Sequence, residues 1–243
     1  MKKVLLLSLA FIFFASSAYA VTFASLASNG YVETQSNFFS LTDHTTGGSG
    51  NSSFNLVFEQ AAYESSFGLY TVSDYNNPTS VLNTLEVFSL ADDPNSSFPT
   101  TASVDFRTST TSASGWEAST DGTTFIDFDT TFGFYFGVDT TDADNLVDYT
   151  FYTAENLNEY ADGTPADQGV EHIRTFLDVH NALYILLDDQ LGPYPDVLGD
   201  SRDNDWNDMQ IRATDVAPVP EPATLLLLGS GLVGLAFLKR RKS

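Results

Sequence analysis

The densest run of oxygen donors in the chain is Asp200-Ser201-Arg202-Asp203-Asn204-Asp205-Trp206-Asn207-Asp208. Asp203, Asp205 and Asn207 stand at alternate positions, the spacing with which the first half of an EF-hand loop offers oxygens to Ca2+. The second half departs from that loop. Counting from Asp203, position 6 is Asp208 rather than Gly, and position 12 is Thr214 rather than Glu. A hard cation nevertheless takes roughly six to eight oxygens from a compact acidic segment, and this segment is rich in them. Asp139, Asp142 and Asp144 repeat the spacing of Asp200, Asp203 and Asp205, and Asp148 follows the first set as Asp208 follows the second. Asp188-Asp189 ends the apolar run 183–187 and is placed to converge on the same region. Bound Ca2+ is therefore expected, with ligands drawn from Asp139, Asp142, Asp144, Asp188, Asp189, Asp200, Asp203, Asp205, Asn207 and Asp208. The competing expectation is that these acids cap turns through side-chain-to-backbone hydrogen bonds.

Catalytic chemistry has thinner support. His44, His172 and His180 are the histidines, and none shows H-x-x-x-H or H-E-x-x-H spacing. His172 and His180 lie eight apart and could share a zinc ion with a carboxylate if they fell on adjacent strands. The absence of cysteine excludes disulfides, thiolate zinc and thiol catalysis. There is no G-x-S-x-G outside the C-terminal tail and no phosphate-cradling glycine loop. Acid pairs of the glycosidase kind stay open, because their separation depends on the fold. No catalytic residue is assigned, and the chain reads as a non-enzyme. The alternative is a carbohydrate-binding module or hydrolase acting on exopolysaccharide, with Trp116, Trp206 and Tyr194 as a stacking platform.

Charge narrows the partners. Residues 21–219 carry four cations (Arg107, Arg174, Arg202 and Arg212) against 31 acids, a formal charge of −27. Nucleic acid and anionic lipid surfaces are disfavoured, because binding phosphate needs Lys and Arg.

The elements that must position these acids read as strands. Phe54-Asn55-Leu56-Val57-Phe58-Glu59 alternates with period 2, as do Leu85-Glu86-Val87-Phe88-Ser89-Leu90 and Val104-Asp105-Phe106-Arg107. Phe132-Gly133-Phe134-Tyr135-Phe136-Gly137-Val138 and Leu183-Tyr184-Ile185-Leu186-Leu187 read as buried strands, and Met209-Gln210-Ile211-Arg212-Ala213 as a closing strand. Turn residues cluster at 46–53, 74–79 and 92–99, and 156–161 is the one helical candidate. The Asn51-Ser52-Ser53 and Asn95-Ser96-Ser97 triplets are expected to be turn residues. An all-β, jelly-roll-like β-sandwich over 21–217 is expected.

Both ends read as signals. Lys2 and Lys3, an apolar stretch over 4–15 and Ala18-Tyr19-Ala20 form a secretory signal peptide over 1–20, cut by signal peptidase. At the other end Val219-Pro220-Glu221-Pro222 precedes an uncharged run to Leu238, followed by Lys239-Arg240-Arg241-Lys242. Residues 223–238 suit a transmembrane helix, with the basic cluster on the cytoplasmic side. The tail over 218–243 resembles the PEP-CTERM sorting tail of Gram-negative, biofilm-forming bacteria. Pro220, Glu221, Pro222, Arg240 and Arg241 occupy its characteristic positions. The resemblance implies an exosortase as partner, transient membrane anchoring, removal of the tail and delivery to the cell surface or extracellular matrix.

Residues 125–216 resemble domain of unknown function 4114. The likeness rests on Gly133-Phe134-Tyr135, Phe151-Tyr152, Asn158, Asp162-Gly163, Glu171-His172, the strand 183–186 with Asp188-Asp189, and Gly199-Asp200 with the run 203–208. Asp188 stands where that family usually has Glu, and Trp206 where it has Phe or Tyr. The turn is also longer, with Gly192-Pro193-Tyr194-Pro195 and an extra Ser201-Arg202. This resemblance implies an exported adhesive or calcium-associated protein and no known enzymatic activity.

Overall fold

In Thr131–Asp139 every second residue, Phe132, Phe134, Phe136 and Val138, is apolar, and all four are fully buried. The computed structural model makes this segment the middle of an all-β fold. It describes residues 26, 30–34, 36–43, 48–59, 64–89, 101–140, 146–189, 206 and 208–220. The signal peptide, the helix over 223–238, the turn at 92–99 and the Asn95 triplet lie outside these residues. Among the described residues no helix is long and apolar enough to cross a membrane.

The strands are β1 (Val32–Thr34), β2 (Phe39–Leu41), β3 (Ser49–Glu59), β4 (Glu64–Val72), β5 (Val81–Phe88), β6 (Thr101–Thr108), β7 (Trp116–Ser119), β8 (Ile126–Asp127), β9 (Thr131–Asp139), β10 (Tyr149–Tyr152), β11 (Glu159–Tyr160), β12 (Ile173–Leu177), β13 (Leu183–Leu187), β14 (Met209–Thr214) and β15 (Val216–Pro218). They form two antiparallel sheets. The first runs β1-β12-β13-β14-β3-β6-β7-β8. In the second, β9 pairs with β10, β2 and β4, while β11, β15 and β5 extend these partners outward. The chain passes repeatedly from one sheet to the other, which is how a sandwich closes without long loops inside a sheet.

Phenylalanine fills the space between the sheets. Phe54 and Phe106 from the first sheet meet Phe67, Phe132, Phe134 and Phe136 from the second, with Ile185, Leu187 and Ile211 beside them. The Phe67 and Phe134 rings stack at 5.7 Å, as do those of Phe106 and Phe132 at 5.8 Å. Each such pair adds to the stabilisation from area alone.

Both outer faces carry a second apolar layer. On the second sheet, Tyr70, Tyr135 and Tyr152 cluster with Phe38, Val72 and Leu157. On the first, Trp206, Phe176, Leu186 and Leu26 pack together. The three described arginines are worked into strands. Arg107 pairs with Glu117 at 2.8 Å and lies over Phe125; Arg174 pairs with Glu171 at 2.7 Å and lies over Trp206. Arg212 lies 6.0 Å from the Tyr184 ring.

Two expectations are corrected. Residues 49–53 belong to β3, where Asn51 stands opposite Asp105 and donates to its carboxylate at 2.7 Å. Their composition resembles a turn because Ser49, Gly50, Asn51, Ser52 and Ser53 are all small or polar. The helical candidate at 156–161 is a single 3-10 turn, Glu155–Leu157, that passes into β11. Asn158 stops it: its buried amide accepts from Tyr152 N–H at 2.8 Å and donates to the carbonyls of Asp167 and Val170.

Candidate functional site

Of the ten proposed calcium ligands, Asp139, Asp188, Asp189 and Asp208 are described. Asp142, Asp144, Asp200, Asp203, Asp205 and Asn207 lie outside the described residues. All four described aspartates are buried, three of them fully. Register explains how three come together. β13 ends at Leu187, which pairs with Met209 at the start of β14. Asp188 and Asp189 therefore leave the sheet where Asp208 enters it. The backbone N–H of Asp189 donates to Asp208 Oδ2 at 2.7 Å. Tyr149, from the second sheet, donates its hydroxyl to the Asp189 carbonyl at 2.9 Å, which ties the sheets together at this end.

Asp139 is placed differently. It ends β9 and stands directly opposite Glu64, the first residue of β4. One Glu64 carboxylate oxygen is buried without a hydrogen bond. Like charges facing each other across a strand pair are destabilising. Among the described residues no group of three or more His, Asp or Glu is arranged to hold a metal ion.

Other aspartates, in surface turns and at the end of β8, behave as turn caps. Asp127 accepts from the Ser112 and Ser114 hydroxyls at 2.5 and 2.7 Å and from Ala113 N–H at 3.0 Å. These hydroxyls hold its carboxyl down at about 2. Asp121 accepts from Thr124 and Thr123 N–H at 2.6 and 2.7 Å, which holds it well below the usual carboxylate range. Asp74, Asp162 and Asp178 cap turns in the same way. Asp148, the acid after the first acidic spacing, accepts from the Thr140 N–H at 2.9 Å and from its hydroxyl.

His172 and His180 do not meet. His172 lies just before β12, fully buried, its ring stacked on Phe151 at 3.5 Å. Its Nδ1 is 3.2 Å from the Asp188 carbonyl, and its Nε2 is 3.2 Å from Asp167 Oδ2, poorly aligned for a hydrogen bond. His180 sits in the exposed turn after β12, at the other end of that strand. Burial and the neighbouring Glu171 raise the pKa of Glu155, and His172 opposes this.

The aromatic platform loses one member. Trp206 is buried at 5% exposure, between Arg174 and the apolar layer of the first sheet. Trp116 is half-buried against the main core, and Tyr194 lies outside the described residues. Sequence reasoning missed the tyrosine layer on the second sheet. Its signal was present as Gly68-Leu69-Tyr70 and Gly133-Phe134-Tyr135, where each tyrosine is two residues from a glycine.

The last described residues bring the sorting tail into the structure. β15 pairs with β2 in the register Val216–Leu41, Ala217–Ser40 and Pro218–Phe39. Val219 N–H then donates to the Phe38 carbonyl at 2.9 Å, and Ser36 Oγ donates to the Val219 carbonyl at 2.8 Å. Pro220 follows, exposed.

Residues 218–242 match the family of the PEP-CTERM protein-sorting motif. The tail is thus a PEP-CTERM sorting tail, and it marks the chain as an exported, exosortase-sorted protein of the Gram-negative surface. No curated protein and no solved structure matches the chain.

Proposed function

We infer that the protein is a non-enzymatic component of the cell surface or extracellular matrix. Its β-sandwich is steadied by Ca2+. The tail anchors it transiently through 223–238 until exosortase removes the anchor. The observation that carries the calcium reading is the burial of Asp188, Asp189 and Asp208 at one end of the β13–β14 pair. The connection between those strands contains Asp200, Asp203, Asp205 and Asn207. Burying carboxylates is costly, and a cation drawn from millimolar extracellular calcium adds to the compensation that their protein partners give. The Glu64–Asp139 pairing adds a second place where added positive charge relieves repulsion. The resemblance of 125–216 to domain of unknown function 4114 supports the same reading.

Calorimetry and thermal melting of the exported protein with Ca2+ and with EDTA test it. Heat of binding and a higher melting temperature in Ca2+ are expected. Identical melts and no binding heat would remove calcium from the proposal and leave the sorting assignment untouched.

A further inference from the structure

The sorting motif begins inside the folded domain. Pro218, the first matched residue, is the last residue of β15. Val219 is fixed at its N–H by the Phe38 carbonyl and at its carbonyl by the Ser36 hydroxyl, and its side chain packs on the tyrosine layer. No free linker separates the sandwich from Pro220. Only Glu221 and Pro222 stand between Pro220 and Ala223, where the uncharged run starts. At ~3.6 Å per residue at most, that step spans about 11 Å. One flank of the sandwich is therefore delivered to the membrane surface in which the sorting enzyme is embedded.

That flank is shaped. A cavity of about 220 Å³ opens beside Val219 and Pro220. Phe38 lies at its base and Tyr75, 42% exposed, forms a wall, with the two rings 5.9 Å apart. The loop bearing Tyr75 is held in place. Asn156 Nδ2 donates to the Pro78 carbonyl at 2.6 Å, and Asn76 N–H donates to Asp74 at 2.9 Å.

We propose that this cleft is a docking surface for the membrane-embedded sorting enzyme, which reads Pro-Glu-Pro together with the adjoining folded wall. The inference rests on the sorting assignment. Several observations favour a protein partner over lipid. No residue lining the cleft is basic, and the surrounding domain carries a formal charge of −27, which anionic headgroups repel. A half-exposed tyrosine on a rigid wall is the kind of anchor that protein interfaces favour.

The test uses the full chain produced with its sorting enzyme, following tail removal by intact mass over time. Tyr75→Ala and Asn76→Arg alter the cleft wall and rim. Leu82→Ala, on an exposed side chain of β5, serves as control. Melting curves confirm that each variant is folded. Processing at least about fivefold slower in both cleft variants, with the control unchanged, is expected for loss of an interface anchor. Wild-type rates in both folded cleft variants overturn the docking surface while the sorting assignment stands. A wild-type chain that keeps its tail overturns both. Vesicle binding by the tail-free protein that is lost in Tyr75→Ala assigns the cleft to lipid and overturns the proposal.

Discussion

Tyr70 stands directly opposite Gly133 across the β4–β9 pair, and its ring occupies the space that a side chain at 133 would fill. The same exchange occurs one step along, where Tyr135 covers Gly68. Each glycine is a slot for the tyrosine of the partner strand, a known way of packing aromatic rings over sheet glycines. Gly133→Ala should therefore destabilise the sandwich by about 1–3 kcal/mol through overpacking. Urea unfolding checks this. An unchanged midpoint would mean that the ring moves aside at no cost.

The Tyr70 hydroxyl also has a structural role. It accepts from the Ala154 N–H at 3.1 Å in a buried setting, and burial pushes its own pKa up to about 12. Tyr70→Phe keeps the ring and strands that N–H. A loss of about 1–3 kcal/mol is expected, with faster amide exchange at Ala154 as the local readout.

How much of this was legible in the sequence depended on which face of a strand carried the signal. The inward faces of β9, β13 and β14 announce themselves through apolar alternation, and the all-β class follows from them. The polar first half of β3 and the strands β1 and β11 do not, because cross-strand partners hold them rather than buried apolar residues of their own. β2 and β15 are too short to show a period, although Phe39, Leu41 and Val216 are buried in the core. Asp139 and Asp188 look alike in sequence. Only register shows that one faces Glu64 while the other joins Asp189 and Asp208. The sorting tail was readable because its parts are local in sequence.

Asp208 offers a test of the acidic end. Its carboxylate accepts the Asp189 N–H inside the protein. Asp208→Ala should cost about 1–3 kcal/mol by leaving that donor unsatisfied. If calcium binds here, the substitution should also reduce the melting shift that Ca2+ gives. A full shift in the variant would exclude Asp208 from the ion's shell.

Acid should weaken the fold within a definable window. The hydroxyls of Ser112 and Ser114 hold Asp127 at about 2 in the folded state, below the ordinary aspartate value of roughly 3.9. A depressed pKa means that the unfolded chain binds the proton more readily. The contribution is therefore complete above about pH 4 and is lost as pH falls through the folded value. Asp121 acts in the same direction. Melting temperature should drop as pH falls below about 4, and Asp127→Asn should make that drop shallower. An equally steep acid limb in the variant would assign the drop to other carboxylates.

Trp206 should be shielded from a neutral quencher, with Trp116 the more accessible indole. Trp206→Ala should cost about 3–5 kcal/mol, since it removes a buried ring and the surface on which Arg174 rests. Strong acrylamide quenching of Trp206, isolated by Trp116→Phe, would show it open to solvent and reopen the sugar-stacking alternative.

The arginines bear on how long such a protein lasts outside the cell. Residues 21–219 contain no lysine, so a trypsin-like protease has only four peptide bonds to attack there. Three of them follow Arg107, Arg174 and Arg212, which lie within β6, β12 and β14. Such proteases need a length of free, extended backbone, and at these three positions the backbone is already paired with a neighbouring strand. Cleavage there must wait for the sheet to open, so digestion at these three sites would follow the small fraction of molecules whose sheet is open at any moment, which the stability of the sandwich sets when opening and closing are fast relative to cleavage.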